Sequence, residues 1–445
     1  MLEIFRISPY NVSHIHHSYY QMNRIQSIRG MNDILPSESY QWQYLENSIK
    51  EILNNYGVQE IRLPIVEKSE LFHRGVGDGT DIVEKETYDF EDRSQEKLTL
   101  RPEGTAGCVR AMIQHGLIKN QTQRVWYIGP MYRYERPQKG RYRQFYQLGI
   151  EYFGINGSVI EAELITLTWR LWQKLGISSS VMLEINNLGD QQARADYAKA
   201  LVAHFSPIKE QLDDDSQRRL IKNPLRILDS KNEQTQKLLL DAPKIDDYLD
   251  NTSQDNFEQL CDFLSAQNIP YKINKHLVRG IDYYTHTVFE WKTNLLGAQD
   301  TICAGGRYDA LTEQLGGSNT PALGLAMGLE RLLLLLESTN RIPAQEEHSD
   351  ICIISSGEKA VWKGLHIAEA IRTELSNLKI YVNPVQLGFK SQFKRADKLN
   401  AKIAIVIGDE EIQNEKYGVK FLKEYIDQQT LTLTEIIEHL KNYFA

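Results

Sequence analysis

The segment Arg101-Pro102-Glu103-Gly104-Thr105 is followed by a second, Trp126-Tyr-Ile-Gly-Pro-Met-Tyr-Arg-Tyr-Glu-Arg-Pro-Gln-Lys-Gly-Arg141, in which basic and acidic side chains alternate around a tight loop. A merely stable fold has no need of such a pattern. Pro102 keeps Arg101 extended and Gly104 permits a sharp turn, so Glu103 is presented at the end of a strand. Thr105 is then expected to N-cap a helix running to Ile113. In the second segment Met131, Arg133 and Glu135 are expected on one face of a strand and Tyr132 and Tyr134 on the other. The connection carries Arg136, Lys139, Arg141 and Arg143 around Gly140, and Gln144 to Glu151 reads as the returning strand. On it Gln147, Gly149 and Glu151 point the same way, the glycine leaving room for a ligand against the backbone. Planar forked donors at Arg133 and Arg141 suit phosphate oxygens, and carboxylates at Glu103 and Glu151 suit an ammonium. The chemistry implied is an amino acid and a nucleotide held side by side.

Three further segments carry polar groups that a plain hairpin or helix does not require. Leu277-Val-Arg-Gly-Ile-Asp-Tyr-Tyr284 sets Arg279 before a glycine, an acid and two phenols, and runs on into Val288-Phe-Glu-Trp291. In Ala304-Gly-Gly-Arg-Tyr-Asp309 the paired glycines bring backbone close to a ligand and Tyr308 can line a pocket. It is no dinucleotide fingerprint, because the required spacing of glycines after a strand is absent. Gly324 to Leu332 reads as a helix whose glycines allow close packing and most of which a buried leucine face explains, with Arg331 left over. Thr285 and His286, directly after the tyrosines, receive no role.

These residues need elements to position them. Pro36 opens a helix with Tyr40, Trp42, Leu45, Ile49, Ile52 and Leu53 at three- and four-residue spacings, closed by Tyr56-Gly57. Val58 to Ile65 then reads as one extended segment with Ile61 and Leu63 on one face. This long helix and strand need a further covering surface, which a second subunit can supply. Thr87 to Glu91 and Lys97 to Leu100 are strand candidates. Residues 187–270 are helix-rich and polar, with acidic stretches that read as solvated surface. Beyond a polar link, Glu337 to His348, strand-like runs at Ile351 to Ile354, Ile380 to Val382 and Lys402 to Ile407 alternate with helices, predicting an α/β unit.

Bulk properties narrow the class. At 445 residues the chain is expected to form roughly three domains. With 41% hydrophobic residues it reads as globular, and its longest leucine run, Leu332 to Leu336, is far too short to cross a bilayer. Cys108, Cys261, Cys303 and Cys352 show no C-x-x-C spacing, so neither a disulfide framework nor a metal site is expected, and a cytoplasmic setting fits. The net charge of -8 does not argue against a nucleic-acid partner, because a local basic patch suffices. Residues 1–21 lack periodicity and a signal-peptide pattern, and are expected to be a disordered extension or a misassigned start.

The helix with its Pro64 strand, the Tyr-Arg-Tyr-Glu loop and Gly328-Leu-Glu-Arg331 resemble the three signature motifs of class II aminoacyl-tRNA synthetases. Leu277 to Tyr284 and Ala304 to Asp309 resemble the two histidine-recognition segments of the bacterial histidyl-tRNA synthetase family, a resemblance covering about residues 26 to 445. It implies an α+β fold. A catalytic domain, residues 22–186 and 271–336, would be built on a six- or seven-stranded antiparallel sheet with flanking helices. A helical insertion domain would span 187–270 and close over the tRNA acceptor stem. A C-terminal α/β anticodon-binding domain would span 349–445, with Phe389 to Lys398 as its helix entry, and the enzyme would be a homodimer.

The resemblance also implies roles. Arg133 would contact the α-phosphate and the histidine carboxylate, with Arg141 and Arg331 on the outer phosphates of ATP and Glu135 facing adenine. Glu103, Gln147 and Thr105 would hold the α-amino group, while Glu151, Tyr284 and Tyr308 would recognise the imidazole. Arg279 would steady the α-phosphate as charge develops. The activity implied is ATP-dependent formation of histidyl-adenylate and transfer of histidine to tRNA(His), with Mg²⁺ travelling on the phosphates of ATP. The rival is a non-catalytic, histidine-binding regulatory paralogue that serves ATP phosphoribosyltransferase. Such a protein would be expected to erode the ATP-binding arginines and lack the terminal domain, whereas Arg133, Arg141, Arg279, Arg331 and that domain are all present.

Overall fold

The computed structural model describes residues 25–77, 80–344, 349–383 and 387–444, so the expectation for residues 1–21 lies outside the described residues. The chain divides into two compact units between Pro343 and Ala344.

The first unit opens with α1 (Pro36–Asn55), whose proline sits in the first turn, where a missing N–H costs nothing, and whose Leu45, Ile49, Ile52 and Leu53 are buried. Val58 to Ile65 does not form the single strand expected. Only β1 (Gln59–Glu60) pairs with a neighbour, and after Pro64 the chain turns into β2 (Val66–Lys68). The carbonyls of Leu63 and Pro64 instead accept bonds from Arg101 Nη1 at 3.1 and 3.2 Å. Arg101 is thus a buried brace for this segment, with its Nε bound to the Pro130 carbonyl at 3.0 Å. After α2 (Ser69–Val76), β3 (Tyr88–Glu91) and β4 (Lys97–Leu100) join β2 in a small antiparallel sheet that delivers the chain to α3 (Thr105–Gln114).

Next come β5 (Gln123–Tyr132), β6 (Gln144–Phe153), α4 (Ser158–Lys174) and β7 (Met182–Asn187). The inserted region contributes α5 (Gln191–Phe205), α6 (Asp214–Lys222), α7 (Glu233–Leu238) and α8 (Asn251–Ala266). The unit closes with β8 (Tyr271–Ile273), β9 (Thr285–Lys292), β10 (Thr301–Arg307), α9 (Leu311–Gln314), β11 (Ala322–Gly328) and α10 (Leu329–Ser338). The main sheet has eight strands in the order β1-β5-β6-β11-β10-β9-β7-β8, one more than the upper expectation. The strands from β5 to β7 pair antiparallel, and the short edge strands β1 and β8 add on in parallel.

Gly324 to Leu332 is not a helix throughout, contrary to the expectation. Through Gly328 it is strand, with Leu323, Leu325 and Met327 buried at period two in the core beneath α1, α4 and α10. Gly324 faces the other way, where any Cβ would collide with the Glu151 carboxylate. The helix starts only at Leu329.

Short polar side chains start all four helices of the inserted region: Asp190, Asp213, Asn232 and Asp250 each accept backbone N–H bonds at an N-cap. Part of its acidity is therefore structural. Asp213 also binds the hydroxyls of Ser216, Ser230 and Thr235 at 2.6, 3.0 and 2.7 Å, joining three segments.

The second unit runs β12 (Ile351–Ser355), α11 (Glu358–Glu374), β13 (Ile380–Val382), α12 (Phe389–Lys398), β14 (Ile403–Ile407), α13 (Asp409–Asn414), β15 (Tyr417–Phe421), β16 (Gln429–Leu431) and α14 (Leu433–Tyr443). Its sheet order is β13-β12-β14-β15-β16, parallel over the first three strands and antiparallel beyond. Buried Gln392 ties α12 to β12 by bonding both the N–H and the carbonyl of Ser355, at 3.0 and 2.7 Å. Among the described residues of both units, no helix is long and apolar enough to cross a membrane.

The Asp213 node makes a measurable claim. Partial burial opposes its ionisation, but the bonds from Ser216, Thr235 and Ser230 prevail and hold the carboxyl well below the usual range. A depressed folded-state pKa gives stability that is full above the unfolded value of about 4 and is lost as pH falls below it. Asp213→Ala should lower unfolding free energy by about 1 kcal/mol at pH 7. In denaturant unfolding that gap should shrink towards pH 3, and an equal gap at both pH values would contradict the assignment.

Candidate active site

β4 ends where Pro102 turns the chain, and Glu103 follows, buried. Its carboxylate accepts the backbone N–H groups of Thr105 at 2.7 Å and Ala106 at 2.9 Å, occupying the N-terminus of α3. Thr105 is therefore not the cap. It is the first helical residue, after Gly104, and its hydroxyl is spent on Glu151 at 2.7 Å. Burial raises the Glu103 carboxyl pKa, while the helix N–H groups, Thr105 and Arg133 oppose the shift.

Glu151, fully buried on β6, receives three hydroxyls: Thr105 from α3, Tyr127 from β5 at 2.9 Å, and Tyr308 beyond β10. Tyr127 reaches it across Gly104 and Gly149, at either of which a Cβ would collide with the phenol. Burial pushes the Glu151 carboxyl up to about 8 despite these bonds. Gln147, further along β6, lines a cleft above this knot, and its buried Oε1 has no hydrogen-bond partner.

The hairpin after β5 departs from the expected strand. Pairing stops at Tyr132, so Arg133, Tyr134 and Glu135 do not continue the alternation. The Arg133 N–H binds the Arg143 carbonyl at 2.9 Å, and the Glu135 N–H turns back to the Arg133 carbonyl at 2.8 Å. Arg133 Nε holds the Pro102 carbonyl at 2.9 Å, and its guanidinium lies 5.2 Å from the Phe145 ring centroid. Arg141 pairs with buried Glu135, and Tyr134 stands exposed over Arg143.

Two more cations enter from other elements. Arg331, in the first turn of α10, bonds the carbonyls of Gly140 and Thr301 at 3.1 and 2.9 Å and Gln299 Oε1 at 2.7 Å. Burial lowers its pKa, and Arg133 and Arg141 push the same way. Arg279 pairs with Glu290 of β9 and lies 5.8 Å from the Tyr284 ring, its buried Nε unpartnered. Burial opposes its charge, but Glu290 and the adjacent tyrosines raise its pKa overall. Four guanidiniums, Arg133, Arg141, Arg279 and Arg331, thus line one cleft with Glu103, Thr105, Glu135, Gln147 and Tyr284. Such a cluster of partly desolvated cations suits a multiply charged anion. Glu151 and Tyr308 lie one layer beneath the lining, in the hydroxyl knot.

Sequence reasoning did not assign several residues that belong to this site. Glu290 sets the position of Arg279, Phe145 lies against Arg133, and Tyr283 and Glu330 also line the cleft. Burial raises the Glu330 carboxyl to about 7 although it accepts the Tyr146 N–H at 2.8 Å. Strand alternation around Val288 to Trp291 was the available signal for Glu290; nothing local pairs it with Arg279. Among the described residues no group of three or more His, Cys, Asp or Glu is arranged to hold a metal ion.

Known proteins resemble this chain in sequence and fold. Residues 30–332 match the family model for histidyl-tRNA synthetase, and residues 350–443 match an anticodon binding domain. The histidine–tRNA ligase of Francisella philomiragia subsp. philomiragia is 53% identical over 421 residues, covering 94% of this chain and 99% of its own. That of Francisella tularensis subsp. novicida is likewise 53% identical over 421 residues, covering 94% and 100%. The apo S. aureus histidyl-tRNA synthetase crystal structure matches with a TM-score of 0.78 at 36% identity, over 94% of this chain and 100% of that one. An ATP phosphoribosyltransferase regulatory subunit/histidyl-tRNA synthetase from Bacillus halodurans has the same fold, with a TM-score of 0.61, but 20% identity over 86% of this chain and 98% of its own. Matched by that family model over well over half its length, and by full-length relatives at more than half identity, the chain belongs to the histidyl-tRNA synthetase family of class II aminoacyl-tRNA synthetases.

Proposed function

We propose that the protein is an ATP-dependent histidine–tRNA ligase, and that the cleft described above carries both half-reactions. The observation that carries this reading is the convergence of four arginines beside a buried carboxyl knot. In the first step an oxygen of the histidine carboxylate bonds to the α-phosphorus of ATP while the bond to the bridging oxygen breaks, releasing diphosphate. In the second, the terminal ribose hydroxyl of tRNA(His) attacks the activated carbonyl and AMP leaves. The substrate carboxylate is the nucleophile, so this chain's residues act by positioning and by electrostatics.

Arg133 and Arg279 take the α-phosphate, where charge grows in the transition state, and Arg141 and Arg331 take the outer phosphates. Glu135, released from Arg141, faces the adenine. Glu103, Thr105 and Gln147 hold the α-amino group, for which the carboxylate and the unpartnered Gln147 oxygen are suitable acceptors. Glu151, Tyr284 and Tyr308 recognise the imidazole. A wrong side chain would leave these buried polar groups unpaired, a stronger filter than size. The carboxylates of Glu103, Glu135 and Glu290 are held by helix N–H groups, Arg141 and Arg279. That donor set suits Mg²⁺ entering on ATP rather than a resident metal.

Several broader assignments go with this reading. The catalytic domain comprises residues 22–186 and 271–336, with 187–270 as the insertion and 349–445 as the anticodon-binding domain. The enzyme is a homodimer, a state that would cover Ile65, Val66 and Phe90, which are exposed on and beside the small sheet. It works in the cytoplasm, a reducing setting that suits its free cysteines. The regulatory reading is disfavoured because all four arginines and the second unit are in place.

Histidine alone among the amino acids should drive exchange of label between diphosphate and ATP in the absence of tRNA. Arg279→Ala should reduce that exchange by about a hundredfold to a thousandfold. Its dimer content by light scattering should stay unchanged, and parallel loss of both would make Arg279 structural. A second expectation concerns pH. Burial holds the Glu151 carboxyl at about 8, so it is largely protonated at pH 7 and becomes an acceptor for the imidazole N–H as pH rises. The histidine KM should therefore fall between pH 7 and pH 8.5, and Glu151→Gln should flatten that slope. An unchanged slope in Glu151→Gln would refute the role.

A further inference from the structure

Asp282 lies within the segment that supplies Arg279, Ile281, Tyr283 and Tyr284 to the cleft, yet it does not line the cleft itself. Its carboxylate turns away from the ligand site and into the inserted region. There Asn223, the residue that ends α6, donates its side-chain amide to Asp282 Oδ1. Arg194 of α5 donates to the Asp282 backbone carbonyl at 3.1 Å. Arg226 packs under the same segment, close enough that a Cβ on Gly280 would lie 3.1 Å from its Nη1. The Nε atoms of Arg194 and Arg226 are buried and have no hydrogen-bond partner. Asp282 is the opposing charge for buried Arg194, while Arg226 pairs with Asp229 at 3.6 Å and feels Asp282 as a further, weaker one. Gly77 completes the seat: its φ is +100°, and a Cβ there would lie 3.2 Å from Asp282 Oδ2.

A second tie holds the far end of the segment. His286 occupies the left-handed region, φ +49°, which costs a non-glycine residue about 1 kcal/mol or more. Its N–H binds the Gly189 carbonyl at 2.7 Å, its carbonyl accepts the Leu188 N–H at 2.8 Å, and its Nδ1 lies 3.3 Å from Ser253 Oγ in the first turn of α8. The front of this segment therefore faces the cleft while its back and its end are fastened to the inserted region.

We infer that Asp282 is a positioning residue that locks the Arg279–Tyr284 wall of the cleft to the inserted region. Histidine affinity is then set in part by residues such as Asn223 that never touch histidine. The inference rests on the ligase reading of the cleft and adds to it a mechanical link between the inserted region and amino-acid binding. Breaking the bond between Asn223 and the Asp282 carboxylate frees the wall to shift. Arg141 and Arg331, assigned to the outer phosphates, stand on other elements and should be spared, whereas Arg279 moves with the wall.

The test uses the full-length protein and a double-mutant cycle over Asp282→Ala and Asn223→Ala, with histidine binding measured by calorimetry and ATP KM by diphosphate exchange. Each single variant should weaken histidine binding by about tenfold, and the double variant by little more than either, because the residues act through one bond. ATP KM should rise less than the histidine dissociation constant, because of the four arginines only Arg279 stands on the wall. Asp282→Asn, which keeps an acceptor for Asn223 but removes the charge, should fall between wild type and Asp282→Ala. If Asp282→Ala does not fold by circular dichroism, Asn223→Ala and Asp282→Asn carry the test. Unchanged histidine binding in folded variants, additive losses, or a parallel rise in ATP KM would overturn the inference. A wild-type protein that binds histidine but catalyses no exchange would instead refute the ligase reading and leave the binding cycle decisive for Asp282.

Discussion

The structure is organised around a carboxyl that water does not reach. Glu151 sits on β6, the third strand of an eight-stranded sheet, and is bound by hydroxyls from α3, from β5 and from the turn after β10. A buried carboxyl is expensive unless its oxygens are satisfied, so these three hydroxyls and their backbones must hold their relative positions. The demand passes outward. Gly104, Gly149 and Gly324 lack side chains because Tyr127 and the Glu151 carboxylate occupy the space that a Cβ would fill. Because Thr105 is committed to Glu151, the N-terminus of α3 takes its capping acceptor from Glu103, which holds that carboxylate at the edge of the cleft.

The cationic side of the cleft follows the opposite logic. Arg133, Arg141, Arg279 and Arg331 crowd together from three different segments, each braced by carbonyls, a ring or a carboxylate. Burial and mutual repulsion disfavour the cluster without an anion, and those same terms would strengthen its hold on a phosphate in the proposed site. Bracing matters because donors fixed before the reaction need no reorganisation when charge moves onto the α-phosphate. The hydroxyl knot and the arginine cluster meet at Arg133, whose Nε grips the carbonyl of Pro102, one residue before Glu103.

Much of this was legible in the sequence, and the parts that were not have physical reasons. α1 and the α/β order of the second unit showed through because helical and two-residue periodicities are local. Lys97–Leu100 and the hairpin return at Gln144 likewise matched. Gly324 to Leu332 was misread because Leu323, Leu325 and Met327 run straight into a leucine helix, which hides the change of period at Gly328. Thr105 looked like a cap because its type suits that position, but a carboxylate two residues earlier took the helix N–H groups. The role of Asp282 could not be read, since its partner Asn223 lies 59 residues away, and strand alternation could mark Glu290 but not pair it with Arg279. The resemblance assigns both Glu151 and Tyr308 to the imidazole, but no sequence pattern says that they hydrogen-bond each other beneath the wall.

The central claim is that the hydroxyl knot and the arginine cluster are two adjoining halves of one preformed site for histidine and ATP. A crystal structure of the protein with a non-hydrolysable histidyl-adenylate analogue tests it most directly. The account predicts the imidazole against Glu151 and Tyr284, the α-amino group on Glu103 and Gln147, and the phosphate mimic between Arg133 and Arg279, with the sheet backbone unmoved. An imidazole directed away from Glu151, or a phosphate mimic out of reach of Arg279, would contradict it.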